Sequence, residues 1–327
     1  MSGPLRGGRR RRRVGPLLVT LMVLAVPFAL AAGTYLWVVQ DDGPGAQPEV
    51  VDTPSVVPEE GGGSLEARSP APVRLTGGNA FELPFKKPPR AVLLFDVDDG
   101  RVLFRREPER VLPVASLTKI MTALAVVEES RPDEKVRITK AALKYQGSGV
   151  GVLPKGKQVR LEALLNGLML VSGNDAAIAL ADHVSGSERQ FVRLMNEKAR
   201  LWGLSCTRFA SSHGLEKGNR SCAADLAVLT RLAMRSPRIT GVVRRKQATL
   251  RFPIKGGKLY LYGHNPLIRA GYRGAIGLKT GYTDEAGRCF VGVARRGRRT
   301  LGVVLLDSSN PVNHAKALLD RGFAARQ

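Results

Sequence analysis

Apolar and polar positions along the chain fall into three regimes. From Val14 to Val39 no residue is charged, a run long enough to cross a bilayer. From 40 to 85 large apolar residues are sparse and Pro, Gly, Ser and acids dominate, as in DDGPGAQPEVVDTPSVVPEEGGGSLEARSPAP. Such a stretch cannot bury enough surface to fold by itself and reads as a disordered linker. From 86 to 327 the patterning is that of a folded domain. RAVLLFDVDDGRVLFRREP sets two apolar runs around Asp-Asp-Gly, the mark of a β-hairpin. A helical period runs from Ser116 to about Ser130. LEALLNGLMLVSGNDAAIALADHVSG (161–186) holds two helical patterns broken at Ser172-Gly173-Asn174, and 187–204 and 223–236 add two more helices. Then the period changes. QATLRFPI, KLYLYGH, GAIGLKTGY, RCFVGVARR and TLGVVLLDS are short strands parted by Gly and charged turns, and NPVNHAKALLDRGFAAR closes with a helix. Two strands, a helical block, antiparallel strands and a helix predict an α+β fold in which early and late strands share one sheet.

Charge adds direction. Six arginines lie between residues 6 and 13, directly before the uncharged run. Arginines in that place stay in the cytoplasm. The expectation is a basic cytoplasmic segment (1–13), a single transmembrane anchor (14–39) with Tyr35 and Trp37 at its interface, and a domain outside the cytoplasmic membrane. Small residues at ALAAG (29–33) keep open the alternative of a cleaved signal peptide and a secreted domain. The formal net charge is +23, and the first 40 residues and the acidic linker cancel, so the domain from 86 onward carries all of it. An anionic partner is implied. The basic residues are spread out, with short runs such as RRGRR (295–299) that read as a solvated hairpin tip, and no nucleic-acid-binding motif appears. His183, His213, His264 and His314 match no metal-ligand spacing, so no metal is expected. In an exported domain Cys206 and Cys222, 16 apart, are expected to form a disulfide, leaving Cys289 free in a buried strand.

The chemistry starts at PVASLTKIMTAL (113–124). Ser116 and Lys119 stand three apart and share one helix face. A serine in a first turn lies at the positive end of the helix dipole, which favours a developing alkoxide. Burial and the same dipole lower the lysine's pKa, fitting it to act as a base towards that serine. Alone the pair is a weak signal. Downstream, Ser172-Gly173-Asn174 sits between two apolar helices, and Lys279-Thr280-Gly281 sits on a strand. The ordered triple Ser-x-x-Lys, Ser-x-Asn, Lys-Thr-Gly is the constellation of penicillin-interacting serine enzymes.

From about Arg90 to Phe323 the chain resembles the low-molecular-mass penicillin-binding proteins that are serine-type D-alanyl-D-alanine carboxypeptidases, through ASLTKIMTA, SGNDAA, HGL (213–215), KTGYTDEAG and the final RGF. The resemblance implies an antiparallel five-stranded sheet flanked by helices, with a helical subdomain. It implies that 86–327 is a D,D-peptidase domain acting on peptidoglycan stem peptides ending in D-Ala-D-Ala, acylated by β-lactam antibiotics and needing no cofactor. It further implies that Ser116 is the nucleophile, Lys119 its base and Ser172 the proton relay. Asn174 would hold the substrate's backbone, Lys279 and Thr280 its terminal carboxylate, and Gly281 would leave room for it along the strand edge. The backbone N–H groups of Ser116 and Tyr282 would form the oxyanion hole. Tyr282 departs from the histidine frequent at that place, which a backbone role tolerates. His213 reads as part of a structural turn. The same fold also serves β-lactamases, D,D-endopeptidases and transpeptidases, and a non-catalytic wall-binding protein is the reading from another class. Neither Glu162 nor Glu216 sits in a motif that would supply a β-lactamase's activated water.

Overall fold

The computed structural model describes residues 72–325. The expected basic segment, the anchor and the linker up to residue 71 lie outside the described residues. Among those described, no helix is long and apolar enough to cross a membrane.

The chain opens with the expected hairpin, β1 (Ala91–Asp96) and β2 (Val102–Arg106), followed by β3 (Leu112–Pro113) and a 3₁₀ turn over Ala115–Thr118. The helical block comprises α1 (Lys119–Glu129), β4 (Lys135–Arg137), α2 (Lys140–Leu143), β5 (Gln158–Arg160), α3 (Leu161–Leu170), α4 (Asn174–Ser185), α5 (Glu188–Leu201), β6 (Arg220–Ser221), α6 (Ala223–Arg235) and α7 (Pro237–Val243). The chain then forms β7 (Gln247–Arg251), β8 (Lys258–Tyr262), α8 (Pro266–Arg269), β9 (Ala275–Thr283), β10 (Gly287–Arg296), β11 (Arg299–Leu306) and α9 (Pro311–Ala324). Five strands make the main antiparallel sheet in the order β2-β1-β11-β10-β9. The runs QATLRFPI and KLYLYGH stay out of it and pair with each other as the hairpin β7–β8.

The sheet is buried on both faces because its strands are apolar at successive positions. On β1, Leu93 and Phe95 face the large core shared with the helical block, while Val92 and Leu94 face a second core under α9. The period-2 alternation of side chains makes this division. β9 is left at the sheet edge, and the 3₁₀ turn carrying Ser116 packs against it.

The linker boundary at 85 needs correction, because residues 72–85 pack on the domain. Ala80 N–H donates to the Leu103 carbonyl at 2.8 Å, Asn79 Oδ1 accepts from Arg105 N–H at 2.8 Å, and Val73 is buried. Phe81 stacks on Phe104 with centroids 5.5 Å apart, and Phe85 meets His314 at 4.5 Å. Three spaced apolar residues, Phe81, Leu83 and Phe85, were too few to stand out against the Pro/Gly/acidic composition before them.

Candidate active site

The i, i+3 pair is real, but the helix begins later than the spacing predicts. Ala115 takes φ 48°, which the α-helix cannot continue, and α1 starts only at Lys119. In the 3₁₀ turn before it, residues three apart eclipse, so Ser116 and Lys119 come together more directly than on an α-helix. Lys119 Nζ lies 3.1 Å from Ser116 Oγ, 2.6 Å from Asn174 Oδ1 and 2.6 Å from the His213 carbonyl. Asn174 Nδ2 donates to the Gln146 carbonyl, which fixes the amide so that its oxygen faces the lysine.

Lys119 is fully buried, and burial, with the Lys279 ammonium second, holds its pKa well below the ordinary lysine value; Asp175 and Glu188 pull it partly back. The geometry suits a neutral amine. Its two N–H bonds match the two obligate acceptors, Asn174 Oδ1 and the His213 carbonyl, leaving the lone pair for the Ser116 hydroxyl.

Lys279 and Ser172 form a second linked pair. Lys279 Nζ donates to Ser172 Oγ at 2.9 Å and to the Thr280 carbonyl at 2.8 Å. That leaves one ammonium donor beyond these two bonds. Burial brings the Lys279 pKa down to about 7. Ser172 takes φ 61°, in the left-handed region that costs a non-glycine residue on the order of 1–3 kcal/mol. Strain therefore accompanies both serines, at Ala115 beside one and at Ser172 itself.

Gly281 has a reason that the sequence concealed. A Cβ there would stand 2.9 Å from the Val114 carbonyl and 3.2 Å from the Ser116 nitrogen. The space is filled by the protein's own turn, and the missing side chain lets β9 approach the Ser116 N–H. The Tyr282 side chain is exposed and its hydroxyl donates to Asp284 at 2.9 Å, so its ring turns out to solvent.

Three residues in the site, Gly214, Glu188 and Asp175, were given no role from the sequence. Gly214 (φ 86°) passes so close to the turn bearing Ser116 that a Cβ would overlap the Ala115 carbonyl. The His213 turn reading was therefore incomplete, since its carbonyl holds Lys119. Glu188 Oε1 accepts from Ser212 N–H at 2.9 Å and Ser212 Oγ at 2.6 Å, steadying that segment. Buried Asp175 accepts from the N–H groups of Val150 and Gly151, both at 2.9 Å, tying down the loop between α2 and β5. The pairing of a glycine with the preceding histidine was the only local signal for any of these.

Cys206 and Cys222 are bonded, with Cα atoms 5.6 Å apart, and Cys289 is free and buried. The one cluster of metal-ligand types among the described residues is Cys206, Cys222 and Asp225. Its two sulfurs are spent on each other.

Residues 85–310 match the model of peptidase family S11, D-alanyl-D-alanine carboxypeptidase. The chain belongs to this family. Its members are serine peptidases. Among similar proteins, D-alanyl-D-alanine carboxypeptidase DacB2 of Mycobacterium tuberculosis is 35% identical over 246 residues, which cover 72% of this chain and 83% of that protein. DacF of Bacillus subtilis is 35% identical over 228 residues, covering 68% of this chain but 58% of that longer protein. A crystal structure of a D-alanyl-D-alanine carboxypeptidase from M. tuberculosis matches with a TM-score of 0.71 at 33% identity, covering 77% of this chain and 97% of that one. The S11 fold is thus the five-stranded sheet and helical block described above.

Proposed function

We propose that this protein is a serine D-alanyl-D-alanine carboxypeptidase that removes the terminal D-alanine from peptidoglycan stem peptides. The observation that carries the reading is Lys119, buried, with its amine 3.1 Å from Ser116 Oγ and two acceptors for its N–H bonds. Ser116 Oγ attacks the carbonyl between the two D-alanines and Lys119 takes the proton. The oxyanion is held by the backbone N–H groups of Ser116 and Tyr282. The C–N bond breaks as Ser172 gives its hydroxyl proton to the departing amine and is resupplied with the proton that Lys119 took, so Lys119 is neutral again in the acyl-enzyme and Lys279 keeps its charge. The spare donor of Lys279, with Thr280, takes the terminal carboxylate, and Asn174 aligns the peptide. Water then cleaves the ester, with Lys119 as base, and restores Ser116. β-Lactams acylate the same serine.

The N-terminal arginines and uncharged run support an anchor in the cytoplasmic membrane, with the domain outside it. Retention of the full chain in the membrane fraction after alkaline carbonate washing tests this; release as a shortened chain would mean a cleaved signal.

Activity is tested by following the intact mass of the full chain with benzylpenicillin, alongside D-alanine release from a D-Ala-D-Ala peptide. A lasting adduct on Ser116 and release of one D-alanine per peptide are expected. Penicillin hydrolysis without an adduct would make the protein a β-lactamase. Neither event would leave a wall-binding protein without catalysis.

A further inference from the structure

The tip of the hairpin between Cys206 and Cys222 serves the active site, but its base has no part in the chemistry. There Arg208 and Arg220 stand directly opposite each other, each N–H donating to the other's carbonyl at 2.9 Å. Like charges so placed destabilise a ladder. Arg193 and Arg200 come from α5, seven positions and two turns apart, on one helix face. All four arginines line a single groove of about 600 Å³, with Asn196 and Glu197. Among the described residues none of the four has a carboxylate within 4.0 Å, whereas Arg131, Arg238 and Arg296 elsewhere each do. Glu197 is the one carboxylate on the groove's walls.

The arginines cannot easily move apart. The disulfide joins the two arms two residues outward of the bridge. Asn196 pins one arm to α5, donating to the Phe209 carbonyl at 2.9 Å and accepting from its N–H at 2.9 Å. The fold thus holds four cations around a concave space against their own repulsion. By contrast, the RRGRR tip is partly spent on internal contacts. Arg296 pairs with Asp320 at 2.9 Å and Arg299 donates to the Ala325 carbonyl.

We propose that this disulfide-clamped groove binds a phosphodiester chain. Guanidinium forks match the paired oxygens of a phosphate, and four of them facing one acid call for a ligand with several charges in succession. A groove suits a chain better than the flat face of a bilayer, and no large apolar side chain lines it for insertion into lipid. The proposal stands apart from the activity assigned to Ser116.

The test uses the full chain in non-ionic detergent and poly(glycerol phosphate), with affinity measured over a range of salt. Arg208→Gln/Arg220→Gln is expected to weaken binding at least about tenfold and to reduce the salt slope by about two. Arg251→Gln/Lys258→Gln removes the same charge from another opposed basic pair, across β7–β8, and is expected to cost less than about twofold. Equal losses from both pairs, or none from the groove pair, would show attraction by net charge alone and overturn the proposal. So would a groove pair that alters association with phosphatidylglycerol vesicles while leaving the polymer untouched, which would mean a lipid headgroup. Inorganic phosphate is expected to compete only in large excess; full displacement at equal concentration would mean a single-anion site. Near-UV circular dichroism and an unchanged thiol count check the fold. If the bridge variant fails them, Arg193→Gln/Arg200→Gln on the exposed face of α5 must give the same loss.

Discussion

Lys119 and Lys279 are the same residue type in different surroundings. Lys119 faces two obligate acceptors and a hydroxyl, the setting of the proposed base; Lys279 has one donor beyond its two bonds, the one proposed to meet an anion. Lys119→Met should slow penicillin acylation about 10²–10⁴-fold, the range for loss of a general base, with the fold retained. Measured acylation within tenfold of the native rate would remove Lys119 from the proposed role. For Lys279 the pKa of about 7 sets the sign of the pH effect. Its ammonium is charged below that pH and discharged as pH rises through it. If the charge holds the substrate carboxylate, kcat/KM falls on the alkaline side near 7. Lys279→Arg stays charged and should move that limb upward by more than one pH unit, at some cost in absolute rate. An alkaline limb that does not move would assign it to another group.

At the scale of elements, the site depends on how closely a few backbones approach. Gly214 and Gly281 each lie where a Cβ would press on the turn bearing Ser116. Gly214→Ala adds a side chain at φ 86° as well, and should destabilise the protein by about 2 kcal/mol or more and slow acylation. Thermal unfolding and acylation rates check this, and native values for both would show that the segment yields freely. The hairpin that carries His213 is closed by the 206–222 disulfide. Cys206→Ser/Cys222→Ser should cost about 3 kcal/mol by chain entropy. It should also raise hydrogen exchange at 211–215, the segment that holds Lys119. Unchanged exchange there would mean that Glu188 and Asn219 fix the segment without the bond.

At the scale of the whole molecule, the sheet has two cores, and the second is closed partly by residues 72–85. Phe81, Leu83 and Phe85 pack there beside α9. A chain starting at 86 should be less stable than one starting at 72 by about 3 kcal/mol, a midpoint loss on the order of 5 °C or more. Equal midpoints would return this segment to the linker. The active site lies on the other side of the sheet, so acylation by penicillin should change little at temperatures where both chains are folded.

The sequence by itself determined the α+β order, the strand that carries Lys279-Thr280-Gly281, and the three motifs. These are local properties: hydrophobic period, turn residues and short spacings. The charge pattern of the N-terminus belongs with them. What only the tertiary structure decided depends on approach between distant segments. Which late strands join the sheet was fixed by pairing: β9 to β11 bond to one another and to β1, whereas β7 and β8 pair with each other. That Gly281 makes room for the Ser116 turn, that the His213 carbonyl holds Lys119, and that four scattered arginines face one groove are all meetings of residues far apart in the chain. No periodicity or motif records such distances, because they are set by packing rather than by neighbouring residues.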